Sequence, residues 1–221
     1  MSDNFLRWQK GAGWLVFSGG HSAGSPLRAQ ALARAKAAGG VAYISLLPDG
    51  GDALLDDMED LGAPAGYIVD IVYEDAESIM EQLEFVAVLV IEIGESIDAL
   101  YQAFQNSVAA KAIQQAYENG AVVLIEGLAG NLFGKWVISD SGRVIAGLNW
   151  VENAFIEPGV SQADESRAVQ AILASEPDAI SIEINTGSAL VLGAGQLEIW
   201  GEKEVTISLG SAYSNPNNGT V

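Results

Sequence analysis

Short runs of apolar residues alternate with amphipathic segments from Trp14 to Val137, and this alternation limits the folds that the chain can adopt. Val86–Ile91 and Ala121–Ile125 are continuous stretches of Val, Ala, Leu and Ile, which is typical of strands buried on both faces. The segments between such runs have helical start signals, for example the pair Ser25-Pro26. Alternating strands and helices form right-handed βαβ units, so we predict a mostly parallel central sheet with helices on both faces.

The last third of the chain has a different pattern, in which short apolar segments are separated by turns. Four strands are predicted there, at Ile180–Ile184, Ala189–Leu192, Gln196–Trp200 and Val205–Leu209. The turns between them favour antiparallel hairpins at the edge of the sheet. We therefore predict an α/β fold, a three-layer sandwich, in which residues 1–210 form a single domain and residues 211–221 a disordered tail.

The charge balance excludes several classes of function. The chain carries 10 Lys and Arg residues against 29 Asp and Glu residues, which gives a net charge of −19. Such a chain repels phosphate backbones and anionic lipid headgroups, so we expect neither nucleic-acid binding nor membrane binding. Halophilic adaptation is an alternative explanation of the acidity.

The sequence also lacks the residues for several kinds of metal and redox site. It has no cysteine and one histidine, so disulfides, zinc–thiolate sites, iron–sulfur clusters and multi-histidine metal centres are excluded. The start of the chain has no signal-peptide stretch, and the longest apolar run, Phe85–Ile91, is too short to span a membrane. We expect a cytoplasmic protein, and we assign it no cofactor and no metal.

A G-x-S-x-G sequence, Gly20-His21-Ser22-Ala23-Gly24, lies between the first predicted strand and the first predicted helix. This pattern is typical of the turn that carries the nucleophile of hydrolases. A serine nucleophile needs a base within hydrogen-bond distance, yet the one histidine of the chain, His21, is its immediate neighbour. We interpret the segment as a tight strand-to-helix turn. A serine hydrolase that acts through Ser22 and a phosphate-binding turn are the alternatives.

Several segments follow one another in the order found in a known peptidase family. They are Gly13–Gly20, Val88–Ser96, Gly120–Val137, Leu148–Ile156 and Ile182–Leu192. The third of them reads GAVVLIEGLAGNLFGKWV, a strand followed by a G-L-A-G turn. In this layout the chain resembles the cyanophycinase-like serine peptidases, which include the α-aspartyl dipeptidases. The resemblance extends from about Gly13 to Leu209 and implies the class I glutamine-amidotransferase-like fold.

The positions that carry the chemistry of that family are changed in this chain. The alignment places Leu128 at the serine nucleophile and Gly159 at the histidine base. Three further pairs depart from the family pattern, namely Ile93-Gly94 at the oxyanion hole, Glu95-Ser96 directly after it, and Asn185-Thr186 on a late strand. A leucine cannot attack a carbonyl, and the loss of both nucleophile and base removes the covalent mechanism.

We therefore interpret the chain as a catalytically inactive relative of these peptidases that acts as a binding, scaffold or subunit protein. An active serine exopeptidase of the same family is the alternative. No catalytic residue is assigned. The predicted ligand-binding residues belong to the two loops that correspond to the active site of the family: Gly94, Glu95, Ser96, Glu126, Gly127, Leu128 and Ala129.

Four carboxylates are predicted at or just beyond strand ends, on the edge of the sheet where such folds bind ligands: Glu92, Glu95, Glu126 and Glu157. Carboxylates suit Ca²⁺ or Mg²⁺, and they also suit a cationic peptide or an amine, so one hypothesis is a cationic ligand. If Glu126 lies close to Glu95, its pKa should be raised. The alternative is that these residues are solvated loop residues of an acidic chain.

The tryptophans of the chain are interpreted as packing residues. Trp150 is predicted to lie near a loop, where an exposed indole would suit a subunit contact. Because members of the family commonly self-associate, the resemblance also implies a homo-oligomer such as a homodimer.

Overall fold

The computed structural model describes residues 5–20, 26–36, 39–46, 50–92, 96–160 and 166–214. Its strands, in chain order, are β1 (Trp14–Ser18), β2 (Val41–Ser45), β3 (Gly66–Ile68), β4 (Val88–Glu92), β5 (Val122–Glu126), β6 (Trp136–Ile138), β7 (Val144–Ala146), β8 (Ala154–Val160), β9 (Ile180–Asn185), β10 (Ser188–Gly193), β11 (Gln196–Gly201) and β12 (Val205–Leu209). Its α-helices are α1 (Pro26–Arg34), α2 (Gly50–Asp60), α3 (Ala76–Glu84), α4 (Ile97–Gln105), α5 (Ala109–Glu118) and α6 (Arg167–Ser175).

A seven-stranded sheet forms the middle layer, with the spatial order β11-β10-β1-β5-β4-β2-β3. The strands from β1 to β5 are parallel to one another, whereas β10 and β11 are antiparallel to their neighbours. This arrangement confirms the predicted α/β fold with a mostly parallel central sheet and an antiparallel hairpin from the end of the chain.

Two apolar cores lie on opposite faces of this sheet, because alternate side chains of a strand point to opposite sides. Val16 and Leu124 belong to the core that α1 and α2 cover. Leu15 and Val123 belong to the larger core, to which α3, α4 and α5 contribute. These side chains are completely buried, and each contributes roughly 1.5–3 kcal/mol to stability. Helices on both faces thus hold the parallel strands in place.

A second sheet, which the sequence does not predict, packs on the larger core beside α3, α4 and α5. Its five strands have the order β12-β9-β8-β6-β7. Ile180, Ile182 and Ile184 of β9 all lie in the larger core, whereas α6 covers the other face of this sheet. The predicted hairpins therefore separate: β10 and β11 extend the central sheet, while β9 and β12 join the second one.

The segment after β5 also differs from the prediction. The sequence predicts a helix over Gly127–Val137, but a 3-10 helix, Gly127–Phe133, is followed by strand β6. The N–H of Lys135 donates to the carbonyl oxygen of Ala154 at 2.7 Å, and a Cβ on Gly134 would lie 2.5 Å from the same oxygen. The backbone therefore passes close to β8 and pairs with it instead of continuing as a helix.

The third strand is shorter than predicted because an aspartate starts a turn. The sequence predicts a strand over Tyr67–Val72, but β3 ends at Ile68. Oδ1 of Asp70 accepts hydrogen bonds from the N–H groups of Val72 and Tyr73, both at 3.0 Å. Such local bonds compete with strand pairing.

Trp150 is buried, so the prediction of an exposed indole at this position is wrong. Its side chain is 5% exposed, and its ring lies 5.2 Å from the ring centroid of Phe133 and 6.1 Å from that of Tyr117. It therefore offers no surface for a subunit contact, and the predicted homo-oligomer stays a prediction that Trp150 does not support.

The end of the described chain folds back on the domain. Ser211–Ser214 form a short 3-10 helix, in which the N–H of Ala212 donates to the carbonyl oxygen of Pro177 at 2.9 Å. The rest of the predicted tail, residues 215–221, lies outside the described residues. Among the helices of the described ranges, none is both long and apolar enough to cross a membrane.

Candidate functional site

The carboxyl ends of the parallel strands meet at one edge of the central sheet. Ser18 of β1, Glu126 of β5 and Glu92 of β4 lie directly opposite one another in register. Each lies two positions after a residue that faces α1 and α2, namely Val16, Leu124 and Val90, so all three lie on the same face of the sheet. The strand ends therefore place two carboxylates and a hydroxyl in one row, at the edge where parallel sheets bind ligands.

The chain leaves β5 through a sharp turn at Gly127. The φ angle of this residue is +54°, a left-handed conformation that glycine adopts without the steric cost of a Cβ. Leu128 follows and is 44% exposed, whereas Ala129 is completely buried. A Cβ on Gly130 would lie 3.6 Å from Cγ of Pro158 in β8. The predicted nucleophile position is thus an exposed aliphatic side chain at the tip of a turn that packs against β8.

No hydroxyl becomes available if the alignment is shifted. Gly127, one residue before Leu128, has the positive φ angle. If the alignment is moved by one residue to this position, glycine instead of leucine occupies the nucleophile position. The sequence from Ala121 to Ile138 contains neither Ser nor Thr. Neither glycine nor leucine can form a covalent intermediate.

Glu126 is only 3% exposed, and an arginine binds both of its carboxylate oxygens. Arg28 of α1 donates from Nε to Oε1 at 3.0 Å and from Nη2 to Oε2 at 2.7 Å. Its remaining nitrogen, Nη1, donates to Oδ2 of Asp57 in α2 at 2.6 Å. These three side chains form the Glu126–Arg28–Asp57 triad, which links the end of β5 to both helices that cover this face.

The triad keeps its arginine charged. Burial alone would lower the pKa of Arg28, but the hydrogen bonds and charges of Glu126 and Asp57 outweigh burial, so the pKa is raised. The contact with Glu126 is bidentate, since two N–H groups of the guanidinium donate to the two oxygens of one carboxylate. The chain therefore supplies its own cation to Glu126, at a place where the sequence predicts an external cationic ligand.

Glu92, the neighbour of Glu126 in the sheet, is partly buried and bound to a tyrosine. The hydroxyl of Tyr43, a completely buried residue of β2, donates to Oε2 of Glu92. The row of strand ends is therefore held by hydrogen-bond donors from the same side of the sheet, one from β2 and the others from Arg28.

Ser96 lies at the start of α4 and caps that helix. Its hydroxyl oxygen accepts from the N–H of Ala99 at 3.1 Å, and its O–H donates to Oδ2 of Asp140 at 2.6 Å. Asp140 also accepts from the N–H of Ile97 at 3.1 Å. The hydrogen bond from Ser96 is the main reason why the pKa of Asp140 is lowered. The hydroxyl of Ser96 thus joins α4 to the turn between β6 and β7.

Gly159, which the sequence alignment predicts in place of a histidine base, lies next to the end of β1. Its φ angle is +79°, and a Cβ built on it would lie 3.5 Å from the carbonyl oxygen of Gly19. Gly19 is itself confined, since a Cβ there would lie 2.3 Å from the carbonyl oxygen of Asn185. The ends of β1, β8 and β9 therefore converge at this point, and Gly159 brings no imidazole to it.

The prediction that Glu157 lies at or just beyond a strand end is wrong: β8 continues to Val160, Glu157 lies in its middle, and its side chain contacts the start of α6. Its Oε1 accepts from the hydroxyl of Ser166, the N-cap residue of α6, at 2.8 Å, and its Oε2 is buried without a hydrogen-bond partner among the described residues. Burial raises the pKa of Glu157, and the bond from Ser166 offsets part of that rise. In the described ranges, no three potential metal ligands come together.

The raised pKa of Glu157 predicts a pH-dependent effect of Glu157→Gln. Between the unfolded pKa and the higher folded pKa the native state binds more protons, so ionisation of Glu157 lowers stability as the pH rises through this window. Glutamine removes the charge and keeps an oxygen for Ser166. We expect the free energy of unfolding to rise by up to about 1 kcal/mol at pH 7 and to be unchanged below about pH 4. Urea unfolding at both pH values measures these free energies, and the exposed Glu152→Gln is the control. An equal increase in the free energy of unfolding at the two pH values would contradict the prediction.

Four residues of interest lie outside the described residues. Gly94 and Glu95 lie in the sequence between β4 and α4, and His21 and Ser22 belong to the G-x-S-x-G sequence. The predicted rise in the pKa of Glu126 depends on Glu95 and stays a prediction.

Arg28, Asp57 and Asp140 are not among the site residues predicted from the sequence. A signal for Arg28 was present, because it lies between Leu27 and Ala31 on the buried side of a predicted helix. An arginine in an apolar stripe needs a buried acid, and strand-end carboxylates were the available candidates. No comparable signal existed for Asp140, whose turn meets α4 only through the folding of the second sheet.

Comparisons with known proteins agree on the fold. No protein-family model matches the chain, and no curated protein matches its sequence. A peptidase from an acI-B1 Actinobacterium superposes with a TM-score of 0.72 at 16% identity, covering 91% of this chain and 93% of that chain. A putative Peptidase E protein from Listeria monocytogenes EGD-e superposes with a TM-score of 0.65 at 16% identity, covering 86% and 99%. The chain therefore has the α/β fold of these peptidases.

Proposed function

We propose that this chain is a catalytically inactive relative of the peptidases whose fold it shares, and that it acts as a binding, scaffold or subunit protein. The observation that carries the proposal is Leu128, an aliphatic side chain that is 44% exposed at the tip of the turn after β5. A serine peptidase needs a hydroxyl at such a tip, with a base to accept its proton.

The position of the base supports the same proposal. Gly159 has no side chain that could accept a proton, and its neighbour in space, Gly19, has none either. Because nucleophile and base act as a unit, removing either one costs nearly as much activity as removing both. A leucine and a glycine at these two positions therefore leave no covalent route through this turn.

The site keeps features that suit a ligand. Leu128 offers apolar surface. The nearby strand ends carry the carboxylate of Glu92 and the Glu126–Arg28–Asp57 triad, in which one guanidinium binds two carboxylates. The sum of these charges is negative. We therefore propose a cationic peptide or amine with an apolar group as the ligand class.

A binding assay tests this ligand class. We expect lysyl-leucine amide to bind in isothermal titration calorimetry, glutamyl-leucine not to bind, and Leu128→Asn to weaken the first interaction at least about tenfold. Leu197→Asn is the matched control, since Leu197 is a similarly exposed leucine of β11, at 40%. Equal affinity for both peptides, or equal effects of the two variants, would contradict the proposal.

The alternative is an active serine peptidase, and one observation favours it, namely that the structural neighbours are named as peptidases. In this chain such an enzyme would need a nucleophile other than Leu128, and Ser22 of the G-x-S-x-G sequence is the candidate. Peptide hydrolysis that disappears in Ser22→Ala would establish this alternative.

A further inference from the structure

A pocket of about 330 Å³ lies at the edge of the sheet opposite to the strand-end site. It is formed by the segment before β1, the end of α5 and the turn between β10 and β11, all at the amino ends of the parallel strands. Its volume lies within the range of small-molecule sites. The proposed function makes no use of this pocket.

Trp8 gives the pocket an apolar lining, and the buried Tyr117 fixes the segment that carries it. Tyr117 is 1% exposed, its hydroxyl donates to the carbonyl oxygen of Gln9 at 2.9 Å, and its side chain is also hydrogen-bonded to Trp8. A Cβ on Gly11 would lie 2.4 Å from the Tyr117 ring, so the backbone rests directly on that ring. Trp8 is further held by a bridge to Val151. The segment that lines the pocket is therefore tied to the domain before any ligand binds.

The charged residues of the pocket have both signs. Arg7 and Lys10 line it, and within the described ranges neither forms an ion pair. In contrast, Arg28 and Arg34 each bind a carboxylate. Glu152 lines the same pocket and is exposed. The pocket therefore carries two cations and one carboxylate, so its local charge is positive in a chain with a net charge of −19.

We infer that this pocket binds a zwitterionic amino acid with an aromatic side chain. Its carboxylate would bind Arg7 and Lys10, its ammonium group Glu152, and its ring the partly exposed surface of Trp8. A ligand with a net negative charge would be repelled by the charge of the whole chain, whereas a zwitterion is neutral and is not. The zwitterion is thus the ligand class that uses both signs of charge in the pocket.

Calorimetric titration of the full chain with L-phenylalanine tests this inference. We expect saturable binding at one site, and binding at least about tenfold weaker for 3-phenylpropionate, which lacks the ammonium group, and for phenethylamine, which lacks the carboxylate. The double variant Arg7→Gln/Lys10→Gln should weaken phenylalanine binding at least about tenfold as well. Lys111→Gln/Lys203→Gln changes the net charge equally at other places and should leave binding unchanged.

Melting temperatures of both double variants, measured alongside, separate loss of binding from loss of fold. Leu128→Asn should leave phenylalanine binding unchanged, so this inference and the proposed function can fail independently. No saturable heat with phenylalanine would overturn the inference. Equal affinity for all three compounds, or equal effects of the two double variants, would also overturn it.

Discussion

Replacing Arg28 by methionine should lower the free energy of unfolding by about 3–5 kcal/mol, the range observed when one partner is removed from a buried ion pair. Arg28 is 7% exposed and binds Glu126 through two nitrogens and Asp57 through the third. Without it, both carboxylates stay buried and lose the charge that compensates them. Urea unfolding at neutral pH measures the loss.

A matched variant separates the effect of burial from that of the ion pair itself. Arg34 also binds both carboxylate oxygens of Glu198, through Nη1 at 3.0 Å and Nη2 at 2.6 Å, but its side chain is 25% exposed. We expect Arg34→Met to cost less than about 2 kcal/mol, including its stacking on Trp14. Arg28→Met/Glu126→Gln should cost less than the sum of the two single variants, because the side chains are coupled. Equal losses for Arg28→Met and Arg34→Met would contradict the burial argument.

Replacing Phe133 by alanine should cost about 3–5 kcal/mol, because the residue is completely buried and a cavity would remain. Its ring lies 6.1 Å from that of Phe17, 6.4 Å from that of Phe104 and 5.2 Å from that of Trp150. These contacts anchor the 3-10 helix that starts at the turn after β5. The same variant should therefore also perturb the surface around Leu128.

Phe85→Ala is the control for this variant, because Phe85 is 72% exposed and its loss should change stability by no more than about 0.5 kcal/mol. Urea unfolding gives both free energies, and the amide NMR spectrum of Leu128 reports the local change. A loss below about 1 kcal/mol for Phe133→Ala would mean that the 3-10 helix does not pack on the larger core as described.

The parallel part of the fold could be predicted because its strands are buried on both faces. In continuous runs such as Val122–Ile125, apolar side chains point to both faces of the strand, so both faces must be covered. The amphipathic segments between these runs are then predicted as the helices that cover the sheet. The second sheet could not be predicted in the same way. Its strands are short, and β6 pairs with β8 only through backbone contacts such as that between Lys135 and Ala154, which leave no pattern in the side chains.

The candidate site was predictable in position but not in its contacts. Parallel topology alone places Glu92 and Glu126 side by side. The contact between Glu126 and Arg28 depends on how α1 packs over the sheet. Such tertiary distances cannot be derived from the spacing of residues in the sequence. The burial of Trp150 has a similar cause, since the rings of Tyr117 and Phe133 pack against a residue that the local sequence places in a loop.

The proposed inactivity requires that no serine of this chain is an activated nucleophile, and labelling with a fluorophosphonate tests this requirement. Intact-protein mass spectrometry of the wild type, beside a known serine peptidase in the same reaction, detects any covalent adduct. We expect full labelling of the reference enzyme and no adduct on this chain. A stoichiometric adduct on this chain, whether or not Ser22→Ala abolishes it, would contradict the account.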